Sequence, residues 1–405
     1  MPDNFYDSII SDPPYGLGFM GKDWDTFTDA HAEFQARFTV WAKEVLRVAK
    51  PGAIALVFGD TRTFHRLTCA LEDAGWQIRD CMMWLYGSGF PKGHNISRQY
   101  QIQRHGWRGK CISNFAMGRD SFEQRLDRWR LEKKWKGHNV ALKPGWEPIV
   151  VAMKPIEGTF AENAEKWGVA GLWIDGGRIG TSGMRPKIVS KTGGAKACYG
   201  DGLNNSYQDP QGTSQGRWPA NVILDEEAGA MLDEQSGVNG SRQTIKLSRK
   251  RKGFMLSGSE DNVQEANAPD QYGDTGGASR FFYCAKASKR ERNMGCEGLE
   301  AAPIKGRDTG QDKLDVPYKQ RPTPVHNHHP TVKPLALMEY LCNLTKTPTG
   351  GIVLDPFGGS GTTAMACVKT GRQYVLIEKD PEYCEIARLR TQTVKELDKG
   401  QKVLF

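Results

Sequence analysis

The apolar run Tyr6 to Ile10 breaks into Ser11-Asp12-Pro13-Pro14-Tyr15-Gly16, and no other stretch constrains the chain as tightly. Proline has a fixed φ and no amide hydrogen, so two in succession end a buried strand in a rigid turn. That turn offers only carbonyls, the Asp12 carboxylate and one flat ring. Such a surface suits an exocyclic amine on a planar base. Asp12 and the Pro13 carbonyl would accept the two amine protons while Tyr15 stacks on the ring. The same residues also make an ordinary strand-end turn, because Asp-Pro and Pro-Pro are common punctuation.

Beyond the turn the chain reads as an α/β alternation. Apolar residues at Phe34, Phe38, Trp41, Val45 and Val48 predict a helix over 31–49, closed by Pro51-Gly52. Ala53 to Phe58 is a continuous apolar run of the kind found in a buried parallel strand. A second helix is expected over 62–74 and a third strand over 78–86. This order predicts a doubly wound α/β sheet.

The alternation stops between Gly87 and Trp146, where 13 lysines and arginines stand against four acids. The net charge of the 405-residue chain is +8, so essentially all of its basic excess lies in this block. Trp107, Phe115, Phe122, Trp129 and Trp135 are interleaved with the cations, and 122–136 is expected to form a basic helix. The pattern fits a phosphate-contacting surface, and equally a solvated helix on a domain face. A strand is expected over 147–154. From 155 to about 327 the chain is rich in glycine and polar residues. It carries short apolar patches at Leu172-Trp173-Ile174, 221–224 and 281–284 that are expected to be small strands, and a second basic run, 246–252. Helix–strand logic returns with a helix over 335–344, a strand over 351–355, a helix ending near Thr370, a strand over 373–377 and a final helix capped by Asp380.

Between the 351–355 strand and its helix lies Asp355-Pro356-Phe357-Gly358-Gly359-Ser360-Gly361-Thr362-Thr363. A glycine-rich strand-to-helix turn lets backbone approach a ligand closely. It has neither the spacing of a dinucleotide fingerprint nor the Gly-Lys-Ser/Thr of a phosphate loop. A small ligand without polyphosphate is therefore expected. Glu378 ends the next strand, where an acid accepts hydrogen bonds from ribose hydroxyls. A nucleoside without phosphates, as in S-adenosylmethionine, fits both features; a generic nucleotide turn or a merely tight connection remains the alternative. Ligands of open α/β sheets bind beyond the carboxyl ends of strands. Adjacent placement of the two strands would bring both turns together.

With these residues in view, the chain resembles the amino-group DNA methyltransferases of permuted motif order (the β class), in a phage-like branch. The resemblance rests on Asp12-Pro13-Pro14-Tyr15 near the start, His329-Pro330-Thr331-Val332-Lys333-Pro334 and the glycine loop near the end, with Lys143-Pro144 and Glu147-Pro148 between. It covers roughly residues 1–155 and 325–398. It implies a Rossmann-like S-adenosylmethionine-dependent methyltransferase sheet with a large irregular target-recognition insertion. The expected division is 1–155 with the acceptor motif and the basic insertion at 87–146, then a target-recognition insertion at 156–325, then a cofactor-binding half at 326–405.

Carried over by resemblance, Asp12, Pro13, Pro14 and Tyr15 form the catalytic site. Asp355, Phe357, Gly358, Gly359, Ser360, Gly361, Thr362 and Glu378 bind the cofactor, with Thr331 and Lys333 placed for its methionine carboxylate. The implied reaction is site-specific methylation of a flipped base in double-stranded DNA, as in restriction-modification. Asp at the first motif position resembles the adenine-N6 enzymes more than the cytosine-N4 ones, where Ser is usual. The alternatives are cytosine-N4 methylation, or a weakly active or inactive DNA-binding protein on this scaffold. Methylation of RNA or of a protein glutamine is a third. Family members usually carry one more strand before the acceptor motif, ending in an acid at the cofactor adenine; this chain begins at Met1-Pro2-Asp3-Asn4, too late to contain it. Nine cysteines without a C-x-x-C pair argue for a reducing compartment, and no run reaches membrane-spanning length. A cytoplasmic protein, with no membrane partner and with a homodimer left open, is expected. His326, His328 and His329 suggest a metal cluster, but His329 belongs to the His-Pro-Thr motif and no Asp, Glu or Cys set accompanies them, so no metal is expected.

Overall fold

The computed structural model describes residues 1–17, 25, 32–89, 93–105, 122–180, 216–238, 276–285, 291–301 and 325–401. Trp107, Phe115, the polar run 201–215 and the basic run 246–252 lie outside them.

Tyr6–Ser11 (β1) is buried at every position, as a strand covered on both faces must be. Ala32–Val48 (α1) comes next, with Phe34, Phe38, Ala42, Val45 and Val48 buried along one stripe. Ala49–Phe58 (β2) begins earlier than its apolar run suggested. Phe64–Asp73 (α2) and Gln77–Leu85 (β3) complete the first alternation. Ile96–His105 (α3) and Phe122–Lys134 (α4) belong to the basic block. Trp146–Met153 (β4) leads to Phe160–Trp167 (α5), which carries its own stop and start signals. Thr159 and Glu162 form a reciprocal capping box, and Gly168 ends the helix at φ 73°.

Val222–Asp225 (β5), Glu226–Ser236 (α6) and Tyr283–Ala285 (β6) come from the middle of the chain. The last stretch gives Leu335–Leu344 (α7), Ile352–Asp355 (β7), Thr362–Lys369 (α8), Gln373–Leu376 (β8) and Pro381–Gln401 (α9). The amide of Glu382 donates to Asp380 Oδ1 at 2.9 Å, so Asp380 caps α9 with Pro381 at its first position.

The strands form one sheet in the order β6-β5-β3-β4-β2-β1-β7-β8. β1 pairs in parallel with β2 on one side and with β7 on the other, and β7 with β8. β4 enters antiparallel between β2 and β3, so the simple strand–helix alternation does not give the strand order. β5 pairs in parallel with β3, so Val222–Asp225 of the 156–325 segment is a strand of the main sheet.

Phe34, Phe38, Val45, Leu67, Leu71 and Trp76 form one core cluster with Ile9, Ala55 and Val57 of the sheet. Each such buried side chain contributes roughly 1.5–3 kcal/mol. The buried Asp7 and the half-buried Lys154 clamp the sheet away from the turns. Asp7 takes Lys50 at 2.7 Å and the Ile352 amide at 2.6 Å, joining β1 to β2 and β7. Lys154 Nζ donates to the carbonyls of Leu46 and Ala49 and to Asn4 Oδ1, each within 2.8 Å.

The chain divides into two compact units, one of Met1–Trp173, Asn221–Ala228 and Cys284–Phe405, the other of Ile174–Ala220 and Gly229–Tyr283. Leu172-Trp173-Ile174 is not a strand. The Trp173 amide instead donates to the Leu344 carbonyl at 2.7 Å, and a 3-10 turn over Asp175–Gly177 comes after it. Within the second unit Ile179 and Arg217 form a two-residue bridge, Arg178 lies over the exposed ring of Trp218, and Arg217 and Arg280 lie over Phe281. No helix among the described residues is long and apolar enough to cross a membrane.

Candidate active site

Both turns singled out in the sequence lie at carboxyl ends of neighbouring parallel strands. β1 runs into Asp12-Pro13-Pro14-Tyr15 and β7 into the glycine loop, with Ile9 opposite Leu354 in the register between them.

The acceptor turn is pinned from three directions. Thr63 Oγ1 donates to the Tyr15 carbonyl at 2.8 Å. The buried Asp25 accepts from the amides of Gly16 and Leu17 at 2.6 and 3.1 Å. The Tyr15 hydroxyl donates to Asp12 Oδ1 at 2.7 Å, with Glu147 Oε2 at 3.2 Å.

Lys333 completes this cluster. Its ammonium donates to Glu147 Oε2 at 2.8 Å and to the Tyr15 oxygen at 3.0 Å, and lies 3.1 Å from Asp12 Oδ1. Three partners exhaust the three donors of an ammonium. Phe58 lies under the charge, with its ring centroid 4.8 Å away. Burial pulls the Lys333 pKa down, but the charges of Asp12 and Glu147 outweigh it and hold the group well above its ordinary value. The Tyr15 phenol is pushed up, first by burial and then by the same two carboxylates. Removing one member of such a buried charge cluster costs roughly 3–5 kcal/mol, because its partners stay charged. The expectation that Lys333 serves a cofactor carboxylate therefore meets a different arrangement: the side chain reaches the acceptor turn. Glu147, on β4, was visible in the sequence as Glu147-Pro148 but had no role there.

The glycine loop is shaped from within. Asp355 is buried and accepts from the Phe357 amide at 3.1 Å and the Thr363 hydroxyl at 2.6 Å. Burial pushes its carboxyl up to about 7 against those two hydrogen bonds, and the nearby Asp12 charge adds to the rise. Gly359 has φ 49°, and a Cβ there would stand 2.9 Å from Nε2 of His329, so a side chain is excluded twice over. Phe357 packs its ring 5.5 Å from Trp41 and 6.4 Å from Phe38 on α1.

Glu378, at the end of β8, accepts from the Gly359 amide at 2.7 Å and from the amides of Lys379 and Asp380 at 2.8 and 2.9 Å. A carboxylate has about four lone-pair sites, so one remains for a ligand hydroxyl. Ser360 and Thr362 face a partner that the sequence did not disclose. Arg390 of α9, fully buried, donates to the Ser360 carbonyl and hydroxyl at 2.6 and 2.9 Å and to the Thr362 hydroxyl at 3.1 Å. Burial lowers its pKa to about 10. An Arg on a long amphipathic helix gives no sequence signal for this.

The His-Pro-Thr segment lies along the loop. His329 Nδ1 donates to the Thr331 carbonyl at 2.9 Å, which leaves Nε2 unprotonated beside Gly359. Burial lowers the His329 pKa to about 4. Thr331 itself is exposed. The neighbouring His326 is taken by the Leu299 carbonyl, and His328 by Glu382. Among the described residues no group of three or more His, Cys, Asp or Glu could hold a metal ion.

A sheet with a proline turn and a glycine loop at adjacent strand ends defines an α/β protein with a turn rich in hydrogen-bond acceptors beside a glycine-rich loop. The DNA methylase family model (N6_N4_Mtase) matches residues 6–389, and the chain belongs to that family. It is 43% identical over 68 residues to the type II methyltransferase M2.DpnII of Streptococcus pneumoniae, covering 17% of this chain and 25% of that protein. It is 38% identical over 73 residues to the type II methyltransferase M2.MboI of Moraxella bovis, covering 18% and 26%. The matched stretch thus spans about a quarter of each of these curated relatives. The solved PvuII DNA methyltransferase (cytosine-N4-specific) aligns with 98% of this chain and 86% of its own at TM-score 0.42 and 13% identity.

Proposed function

We propose that this chain is an S-adenosylmethionine-dependent DNA methyltransferase that methylates the exocyclic amine of a flipped base, adenine N6. The observation that carries the reading is the parallel pairing of β1 with β7, whose carboxyl-end turns bear the amine-acceptor residues and the glycine loop. Acceptor motif first and cofactor loop last is the permuted order, in a phage-like branch. Family membership supports amino-group chemistry, and Asp rather than Ser at position 12 supports adenine over cytosine.

The loop fits this cofactor. Gly359 leaves space that a side chain would fill, Glu378 keeps one lone pair for a ribose hydroxyl, and Phe357 offers an aromatic face held by Trp41. Gly358, Gly361 and the backbone of Ser360 and Thr362 complete the cradle, with Asp355 holding its shape. When bound, the cofactor supplies an electrophilic methyl group on a sulfonium.

The residues of this chain address the weakness of the nucleophile. The lone pair of a base amine is delocalised into the ring. Asp12 and the Pro13 carbonyl accept its two protons and favour a geometry in which the lone pair points out of the ring plane. Pro14 keeps that turn rigid, and Tyr15, its hydroxyl fixed by Asp12, stacks on the base. Positioning and fixed charges then provide the acceleration. Extruding the base costs a few kcal/mol, which stacking and backbone contacts offset. Arg98 of α3 and Arg128, Arg130, Lys133 and Lys134 of α4, with Lys133 lying over Trp129, are suited to the phosphates of double-stranded DNA.

The test is incubation with tritiated S-adenosylmethionine and unmethylated genomic DNA, followed by nucleoside analysis. Label in N6-methyldeoxyadenosine is expected. Label in N4-methyldeoxycytidine would keep the mechanism and overturn the base, and absence of label in any nucleoside would overturn the reading.

A further inference from the structure

We infer that Glu147 and Lys333 are positioning residues of the acceptor site: Lys333 places one cation between the Asp12 and Glu147 carboxylates and, with them, locks Tyr15 for stacking. The inference rests on the proposed amine-methylating reading and adds to it two residues from distant parts of the chain.

The geometry carries it. Two carboxylates share one phenol and one ammonium. Asp12 Oδ1 takes Tyr15 at 2.7 Å and Lys333 at 3.1 Å, while Glu147 Oε2 takes Lys333 at 2.8 Å and Tyr15 at 3.2 Å. The Asp12 and Glu147 side chains are 20% and 23% exposed, and that of Lys333 only 10%, so solvent screens this cluster weakly. Two like charges at that depth raise each other's pKa unless a cation sits between them. An Asp12 that takes up a proton ceases to be a pure acceptor and no longer receives both an amine proton and the Tyr15 hydroxyl.

Lys333 also bridges the two halves of the site. It enters from the segment before α7 and ends on the turn after β1 and on β4, so the ammonium ties the His-Pro-Thr segment to the acceptor turn. Other ionisable groups that feel the cluster are Tyr86 after β3, on which Glu147, Lys333 and the neighbouring Asp60 act, and Asp355 on β7, on which Asp12 acts. Of these, only Asp355 sits near neutrality, at about 7.

The arrangement predicts a signature that a merely structural contact does not produce. In Lys333→Met, Asp12 and Glu147 face each other without a cation and the acidic limb of the rate–pH profile moves up by about one unit or more. In Lys333→Arg the charge is kept and the limb stays near that of the native chain. In Glu147→Gln the second charge is gone, Tyr15 and Lys333 lose a charged anchor, and transfer slows by about tenfold or more. The double variant Glu147→Gln/Lys333→Met removes both charges together and moves the limb back down from its position in Lys333→Met.

The experiment is single-turnover transfer of tritium from S-adenosylmethionine to unmethylated genomic DNA across pH 5.5–9 (a range of about 3.5 pH units spanning neutrality). Calorimetric cofactor affinity and circular dichroism are measured on each variant. Slowed transfer in Glu147→Gln with unchanged cofactor affinity, and an acidic limb raised in Lys333→Met and restored in Lys333→Arg and the double variant, support the inference. Native rates and profiles in folded Glu147→Gln and Lys333→Met overturn it. So does a Lys333→Met that loses cofactor affinity with its acidic limb unmoved, which would return Lys333 to the cofactor. If Lys333→Met does not fold, Glu147→Gln and Lys333→Arg still decide. A native chain that labels no DNA instead overturns the reading on which the inference rests.

Discussion

The amide of Gly359 donates to the carboxylate of Glu378 at 2.7 Å, so the acid at the end of β8 is part of the glycine loop. The other Glu378 oxygen receives the amides of Lys379 and Asp380, the residues that turn the chain into α9. One carboxylate therefore fixes two turns at once.

Replacing Glu378 by Gln leaves one oxygen to do the work of two. An amide nitrogen cannot accept, so either the Gly359 amide or the pair after β8 loses its partner. Charge-assisted bonds of this kind are each worth roughly 1.5–3 kcal/mol. We expect Glu378→Gln to weaken S-adenosylmethionine binding by roughly tenfold to a hundredfold, measured by calorimetry. Unchanged affinity would show that the acid serves neither loop nor ligand.

Arg390 is the corresponding anchor from α9. Its guanidinium reaches the Ser360 carbonyl, the Ser360 and Thr362 hydroxyls and the Glu291 carbonyl. Arg390→Met would leave these buried acceptors unsatisfied, at roughly 1–3 kcal/mol for each that finds no water. A lower midpoint in denaturant at unchanged slope is expected. A midpoint equal to that of the native chain would contradict the assignment of Arg390 as the loop's support.

His329 gives a pH dependence with a definite sign. Burial is the main cause of its depressed pKa, and Arg292, Arg390 and His328 push the same way, while the hydrogen bond to the Thr331 carbonyl opposes them. The folded chain keeps the ring neutral down to about 4, whereas the unfolded chain takes a proton near 6.5. The ring's contribution is therefore complete above 6.5 and is lost as pH falls toward about 4. The loss reaches roughly 3 kcal/mol. In thermal melts, the native chain should lose more stability than His329→Asn on going from pH 7.5 to 5 (a drop of about 2.5 units across the imidazole range). Equal losses would contradict a buried neutral imidazole.

The local features of the fold could be read from the chain because they depend on local chemistry. The buried run of β1, the stripe of α1 and the Asp380 cap of α9 each announce themselves within a few residues. The place of β4 could not be read that way. An antiparallel strand between β2 and β3 depends on where a segment some sixty residues downstream returns, and nothing in Trp146–Met153 encodes its neighbours. Capping chemistry for α5 was present in Thr159, Glu162 and Gly168, but it lay hidden within a glycine-rich region. Leu172-Trp173-Ile174 shows the reverse: an apolar triplet with strand-like residues is used as a connection whose amide serves the end of α7.

The site divides in the same way. The two turns are contiguous motifs whose spacing carries their chemistry. Asp25, Glu147 and Arg390 act on those turns from elsewhere in the chain, through single side chains with no local pattern. Lys333 lay within a recognisable motif, yet its partners are set by tertiary packing, which brings it to Asp12.

If Asp12 holds the amine while the glycine loop holds the methyl donor, Asp12→Ala separates the two roles. Native chain and variant should be compared in single-turnover transfer of tritium to unmethylated DNA, with cofactor affinity measured on the same samples. Transfer lowered by roughly a hundredfold to a thousandfold at unchanged cofactor affinity is expected. Comparable turnover in the two proteins would contradict the assignment of Asp12 to the amine.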